Sequence, residues 1–210
     1  EALGVGHIRT GYRLAPCDPT VCLVAGMLDV EQGCMQDGVA KLSRAVQLSG
    51  RLFTEVAGFY IYDLSRPDLA VDLAADNIGR LTQVANLLAN LEEAKELSDQ
   101  VRSRVVDLLQ QRADQPDAPA GVFAALAGMY QRHKDAQAAI RNYQKALVID
   151  YANTGWRYAL AMLLADQGET AKAMEEARIC LRFRPDHAAA KQLIARLSVQ
   201  PVSASGALAP

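Results

Sequence analysis

Aromatic residues are scarce in this sequence, and neither sign of charge is in marked excess. Only 6% of the 210 residues are aromatic, and the formal net charge at pH 7 is -2. A nearly neutral chain lacks the broad basic surface that attracts nucleic acid or an anionic membrane. It also lacks any apolar run near the roughly 18 residues that a membrane-spanning helix needs. We therefore expect no nucleic-acid partner, and no membrane contact by this fragment.

The residue patterns that carry catalysis or metal binding are absent as well. There is no Gly-rich phosphate loop, no nucleophile elbow and no zinc-protease His pair. The four cysteines show no CxxC spacing, and the three histidines stand far apart. We expect no catalytic residue, no cofactor and no metal site, so the protein is not predicted to be an enzyme. The residues concerned are Cys17, Cys22, Cys34, Cys180, His7, His133 and His187.

The cysteines are better explained as small apolar residues of a reduced compartment than as disulfides. A chain of this length, half of it hydrophobic, does not need disulfides to hold its core. This favours a cytoplasmic location. The sequence begins at Glu1 without a Met, which indicates a processed or excised fragment. A membrane anchor in the parent chain, and disulfide or metal roles for the cysteines, stay open as alternatives.

What the sequence does contain is a 34-residue repeat of a helical pattern. Alanine and leucine dominate its apolar residues, and both favour helices. One copy places apolar residues at i, i+3, i+4 and i+7 of a first helix and at i, i+4 and i+7 of a second. The first copy uses Phe123, Leu126, Ala127, Tyr130, Ala139, Tyr143 and Ala146, and the second uses Arg157, Leu160, Ala161, Leu164, Ala173, Ala177 and Cys180.

The spacing, a turn glycine and a closing proline resemble those of tetratricopeptide repeats (TPRs). Gly168 lies in the predicted turn of the second copy, and Pro185 follows its second helix. The resemblance implies an all-α fold, a right-handed superhelix (α-solenoid) of antiparallel helical hairpins. Arg157 stands where the family prefers a large apolar residue, and we expect Trp156 to fill that space. Tyr151 replaces the closing proline of the first copy.

The same template extends towards both ends of the chain. A short hairpin is expected at residues 54–64 and 67–75, followed by a lengthened helix. The apolar stripe of that helix is predicted to be Ala94, Leu97, Val101, Val105 and Leu108. The predicted segments are a second helix of a truncated leading repeat (1–18), degenerate TPR-like repeats including one lengthened hairpin (19–119), two well-matched repeats (120–187), a C-terminal capping helix (188–200) and a flexible tail (201–210).

The resemblance also implies a binding surface. First helices of TPR hairpins line a concave groove, and the family's groove positions can be carried over by register. Aromatic, Met and Arg side chains there suit a protein or peptide partner. The implied function is a non-catalytic protein–protein interaction scaffold. For each groove residue, packing between neighbouring repeats is the alternative to contact with a partner. The groove positions hold Leu23, Met27, Phe59, Tyr62, Gln131, Arg132, Tyr158, Met162 and Arg196.

Other functions stay open beside this one. The run from residue 176 to 182 is similar to tails of bacterial cell-surface polysaccharide polymerase or ligase proteins. The fragment would then be a TPR accessory domain of a larger bacterial membrane protein acting in cell-surface polysaccharide assembly. Exposed ends of a cut array would instead favour self-association. One TPR subclass is disfavoured, because Ala124 and Gly128 replace the Lys and Asn that clamp a peptide's C-terminal carboxylate.

Overall fold

The structure is a computed structural model that describes residues 2–199, with side chains from residue 4 onward. Every regular element in that range is helical, so the predicted all-α class is confirmed. None of the described helices is both long and apolar enough to cross a membrane. The predicted tail, residues 201–210, and the last position of the predicted cap lie outside the described residues.

The chain divides into two compact units between Val105 and Val106. The first unit is a succession of helices, most of them short. Its elements are α1 (Ala2–Leu14), α2 (Pro19–Glu31), α3 (Met35–Leu48), α4 (Phe53–Gly58), α5 (Pro67–Ala74), α6 (Ile78–Leu88) and the beginning of α7 (Lys95–Ala113), with 3₁₀ turns at Gly50–Leu52 and Glu92–Ala94 and a π-helical turn at Phe59–Asp63.

Helices α2 and α3 form a hairpin in which two backbones approach closely at glycines. A Cβ atom on Gly38 would lie 2.5 Å from Val30 Cγ2 and 2.8 Å from the Gly26 carbonyl oxygen, closer than carbon atoms tolerate. Asp29, a polar residue in the middle of the apolar pattern of α2, is buried and pairs with Lys41 of α3. The two helices can therefore approach closely because glycine has no side chain at the crossing. A partly buried charge pair, Asp29 and Lys41, lies beside it.

Helix α4 widens into the π-helical turn before it ends. The amide of Arg66 donates to the Tyr60 carbonyl at 2.8 Å, and Ser65 between them has a left-handed backbone with φ of 53°. The consecutive residues Tyr60 and Ile61 are both buried. The sequence predicts an ordinary helix at residues 54–64, so the wider turn is a local departure of the kind that proteins often use near functional residues.

One face of α7 is buried, in a register that differs from the predicted stripe. Leu97 and Leu108 are only half-buried, and Ser98 and Leu109 are buried in their place. Ser98 is accommodated because its hydroxyl donates to the carbonyl of Ala85, on α6, at 2.9 Å. The prediction was wrong at Leu97 because a serine that finds a hydrogen-bond partner can be buried as fully as a leucine. Leu109 is buried in place of its neighbour Leu108 without such a partner.

The second unit contains the end of α7, two helical hairpins and a final helix. Helix α8 packs on α9, α10 packs on α9 and α11, and α12 packs on both α11 and α10. A single apolar core cluster includes residues of all five helices after α7. These helices are α8 (Ala120–Arg132), α9 (Ala136–Ile149), α10 (Thr154–Asp166), α11 (Thr170–Phe183) and α12 (Ala188–Val199).

The two hairpins of the second unit bury equivalent residues at several positions that are 34 residues apart in the sequence. Leu126 and Leu160 are buried at equivalent places, and so are Ala127 and Ala161. Because alanine has almost no side chain, the two helices of each hairpin can lie close together at this level. The architecture is thus a stack of antiparallel helical hairpins, built from repeats that bury their apolar faces against their neighbours.

Candidate functional site

The groove residues predicted for the first unit differ in exposure, from buried to exposed. Leu23 is 5% exposed and belongs to the core, so it offers little surface to a partner. Met27 and Phe59 are half-buried, and Tyr62 is exposed on the π-helical turn, where its hydroxyl donates to the Leu87 carbonyl at 3.2 Å. The two cavities described in this unit are lined by other residues.

In the second unit, the structure brings three predicted groove residues together. Tyr158 and Met162 on α10 and Arg196 on α12 line one cavity of about 350 Å³ between these helices. Gln131 and Arg132 are exposed at the end of α8 and are not part of the lining. The complete lining is Tyr158, Met162, Ala189, Gln192, Leu193 and Arg196.

Helical spacing explains why these residues face one another. Tyr158 and Met162 are four positions apart, so their side chains lie one above the other on α10. On α12, Ala189, Gln192 and Arg196 follow the i, i+3 and i+7 pattern of a single helix face. Two regular helix faces therefore form the walls, and the cavity does not depend on a loop.

Tyr158 is held in place by a contact with the residue that caps α12. Its ring lies 5.1 Å from the imidazole ring of His187, with 41° between the planes. The Nδ1 atom of His187 accepts a hydrogen bond from the Ala190 amide at 3.2 Å, which satisfies one of the free amides at the start of the helix. The aromatic wall and the beginning of α12 are thus fixed together.

The cavity combines an apolar interior with a positively charged rim. Leu193 is buried, and Tyr158 and Met162 pack against the apolar core of the unit. Gln192 and Arg196 are exposed at the edge. No carboxylate lies within 4 Å of the Arg196 guanidinium in the described part of the chain. Such a site can bury an apolar group and present a cation beside it.

A second cavity of about 310 Å³, which the sequence did not predict, lies between α7, α8 and α9. Gln110 closes one side by donating from Nε2 to the Tyr130 hydroxyl at 2.6 Å. The Lys145 ammonium stands over the Phe123 ring at 5.7 Å from its centroid. Asn142 and Lys145 lie on α9, the second helix of its hairpin, and the family groove positions do not include second helices. Its lining is Gln110, Ala113, Asp114, Phe123, Leu126, Tyr130, Asn142 and Lys145.

Arg157 was noted in the sequence as a departure from the repeat, and the structure gives it a structural role. Its side chain is itself buried, 2% exposed, while Trp156 is half-buried against the same core. Arg157 Nη1 donates to Glu176 Oε2 at 2.5 Å, and Nη2 donates to the Tyr151 carbonyl at 2.7 Å. Its guanidinium also stacks on the Tyr151 ring. It thereby ties the linker at Tyr151, where the closing proline is missing, to α11.

The cysteines of the described residues differ in exposure and in pKa. All four cysteines are free, Cys17 and Cys34 at the surface and Cys22 and Cys180 in the core. Burial raises the pKa of the Cys22 and Cys180 thiols, so both stay protonated at neutral pH. No group of three or more potential metal ligands occurs within residues 2–199.

Comparison with known proteins identifies the fold. No protein-family model and no curated protein sequence matches the chain. A crystal structure of TTC0263, a thermophilic TPR protein in Thermus thermophilus, is similar, with a TM-score of 0.51 and 15% identity over 87% of this chain and 100% of that one. The crystal structure of the APC/C hetero-tetramer Cut9-Hcn1 also matches, with a TM-score of 0.50 and 12% identity over 93% of this chain and 39% of that one.

These matches establish a TPR-like helical-repeat fold, as the sequence resemblance implies. At such low identity the likeness concerns the arrangement of helices and does not extend to what the proteins bind. The chain spans well under half the length of the Cut9-Hcn1 chain that it matches.

Proposed function

We propose that this protein is a non-catalytic interaction scaffold that binds a peptide or protein partner along the first helices of its hairpins. The observation that carries this proposal is the cavity between α10 and α12. Tyr158 and Met162 from α10 converge there with Arg196 from α12. Tyr and Arg are enriched at the energetically dominant positions of protein interfaces, and Met adapts to different partner surfaces.

Several features support a binding role over a catalytic one. The lining holds no carboxylate, cysteine or histidine that could act as an acid, a base or a nucleophile. The proposed partner is a peptide or a protein, and no cofactor is required. The proposed location is the cytoplasm, a reducing compartment in which four free thiols would persist.

A comparative capture experiment tests this proposal. The tagged protein and its Tyr158→Ala/Met162→Ala variant are used to capture partners, and each captured protein is then purified and titrated against both forms. The control is Phe183→Ala, which removes a half-exposed aromatic side chain that does not line the cavity. We expect the double variant to lose the partner and Phe183→Ala to retain it. Undiminished binding by the double variant, with its helical content intact, would reject the groove assignment.

The accessory-domain alternative uses the same surface within a larger protein. In that case the parent reading frame contains several membrane-spanning segments, and the partner belongs to the machinery of cell-surface polysaccharide assembly.

Self-association is a separate alternative. Val148 and Ile149 at the end of α9 are exposed apolar residues that such contact would cover. A mass in solution that rises with concentration, and a Val148→Asp variant that stays monomeric, would favour it.

A further inference from the structure

We infer that the cavity between α10 and α12 receives one bulky apolar side chain of a partner peptide, and that a side-chain carboxylate next to it in the peptide pairs with Arg196. This inference rests on the proposed function and narrows it to a class of ligand, an acidic peptide with a central apolar residue. Three observations lead to it: the size of the cavity, the fixed position of its walls and the charges around it.

The size of the cavity limits what can enter. A volume of about 350 Å³ is at the lower end of the range for ligand sites, roughly 300–1,000 Å³. It is enough for one large side chain together with part of the peptide backbone at the mouth. A whole partner helix would lie across the opening and insert only the side chain that faces inward.

The apolar walls are already in place before a ligand binds. Leu193 forms part of the lining and is buried, and Met162 packs against the same core. The Tyr158 ring is fixed by its contact with His187, which is itself fixed by the Ala190 amide. Because these side chains have already lost their freedom on folding, a ligand does not have to order them.

The charges of the two helices favour a carboxylate over a cation. Helix α12 contains no acidic residue in its described length, and α10 contains only Asp166, which lies one turn beyond Met162 and outside the lining. Arg196 is exposed at the rim with no carboxylate within 4 Å among the described residues. A guanidinium can hold a carboxylate by two parallel hydrogen bonds, which also orients the peptide.

The experiment observes the Met162 methyl group directly. Protein labelled with 13C-methyl methionine gives one methyl signal per methionine, and Met162→Leu identifies the signal of interest. The probes are acetyl-Ala-Glu-Leu-Glu-Ala-amide, its Lys counterpart with both Glu replaced, and its counterpart with Ala in place of Leu. Single-side-chain contacts are weak, so titrations run to about 5 mM peptide. The five methionines are Met27, Met35, Met129, Met162 and Met174.

We expect the Glu-Leu-Glu peptide to shift the Met162 signal and to leave the Met27 signal, in the other unit, unchanged. The Lys peptide should bind up to about fivefold more weakly, since it loses the charge pair. The Ala peptide should bind roughly tenfold more weakly, since it loses the buried side chain. Arg196→Glu should invert the preference and bind the Lys peptide better. The matched control, Arg178→Glu, makes the same charge change at an exposed position of α11 outside the cavity and should keep the original preference.

Three outcomes would overturn the inference: no movement of the Met162 signal, equal binding of the Glu and Lys peptides, or an unchanged preference in Arg196→Glu. A Met162 signal that shifts with protein concentration alone would assign the cavity to a second copy of the chain and would also overturn it. The proposed function is judged separately. If the double variant loses its captured partner while these peptides fail, the groove stands and only the ligand class is wrong.

Discussion

Lys134 and Gly168 occupy the same place in consecutive hairpins, 34 positions apart, and both have a left-handed backbone, with φ of 61° and 78°. The turn around each is closed by an equivalent hydrogen bond. The amides of Asp135 and Glu169 donate to carbonyls five residues earlier, both at 2.9 Å. The first copy therefore makes with lysine a turn that the second makes with glycine.

We expect Lys134→Gly to stabilise the second unit. A lysine in the left-handed region costs about 1 kcal/mol that glycine does not, and the greater freedom of glycine when unfolded offsets part of the gain. The net increase in the free energy of unfolding should be roughly 0.5 kcal/mol, measured by urea denaturation. Gly168→Lys is the matched reverse change and should lower the stability by a similar or larger amount. Equal stability of all three proteins would show that the turn is not strained at Lys134.

Two glycine-to-alanine substitutions should have opposite effects. At Gly38 the added Cβ would meet Val30 and the backbone of Gly26, so overpacking should destabilise the first unit by about 1–3 kcal/mol. At Gly128, within α8, a Cβ would have no neighbour within 4 Å, and alanine should stabilise the helix by up to about 1 kcal/mol. Because the two units can unfold in separate transitions, thermal scans should be followed by signals from each unit. A stabilising effect of Gly38→Ala would contradict the close packing of α2 and α3.

The buried pair of Arg157 and Glu176 should respond unequally to loss of either partner. Glu176→Gln leaves a buried guanidinium without its counter-charge, and we expect a loss of about 2 kcal/mol in the free energy of unfolding. Arg157→Met replaces the buried charge with an apolar side chain and leaves Glu176, which is partly exposed, in reach of water. Its cost should be within about 1 kcal/mol. A greater loss for Arg157→Met than for Glu176→Gln would show that the bond to the Tyr151 carbonyl matters more than the charge pair.

Tyr60 should make the first unit sensitive to alkaline pH. Burial raises the pKa of its hydroxyl from 10.0 to about 12, and the nearby Ser43 side chain opposes this rise in part. The geometry between the two hydroxyls is not that of a hydrogen bond, so the Tyr60 hydroxyl is buried without a partner. The pKa of Tyr60 is higher in the folded than in the unfolded state, so the folded state favours the neutral hydroxyl. The resulting contribution to the free energy of unfolding is complete below about pH 10 and is lost as the pH rises towards 12.

The test is Tyr60→Phe, which removes the titrating group and a buried hydroxyl without a partner. We expect a gain of about 1 kcal/mol at pH 7 and a flatter fall in stability above pH 10. Tyr62→Phe, at an exposed neighbouring position, is the matched control for the loss of a tyrosine hydroxyl. A steep fall in the Tyr60→Phe protein that matches the wild type would assign the pH dependence to another group.

Much of the fold could be predicted because it follows from repetition. A repeated hairpin buries small residues at one level and leucines at another, so the same spacing recurs in the sequence. The residues that define this spacing are buried in the structure: Leu126, Ala127, Leu160 and Ala161. The details that escaped prediction depend on single polar contacts. Nothing in the sequence around Ser98 shows that a carbonyl of another helix will accept a hydrogen bond from its hydroxyl.

The site was predictable only in part, for a related reason. Register predicts the helix face of a residue, and Tyr158, Met162 and Arg196, which were selected by register, line one cavity. Whether a partner binds there stays a prediction. Register does not determine how deeply a side chain is covered by elements distant in sequence. Leu23 was therefore selected as a surface residue although it is buried.

The contact between Tyr158 and His187 makes the last helix a reporter of what happens beside it. A ligand that restrains the Tyr158 ring also restrains the His187 imidazole, which accepts a hydrogen bond from the Ala190 amide. Ligand binding is therefore thermodynamically linked to fraying of the first turn of α12. Hydrogen–deuterium exchange at that amide should slow as the site fills. A binding event among side chains would then be visible in the backbone, even for a ligand without a spectroscopic label.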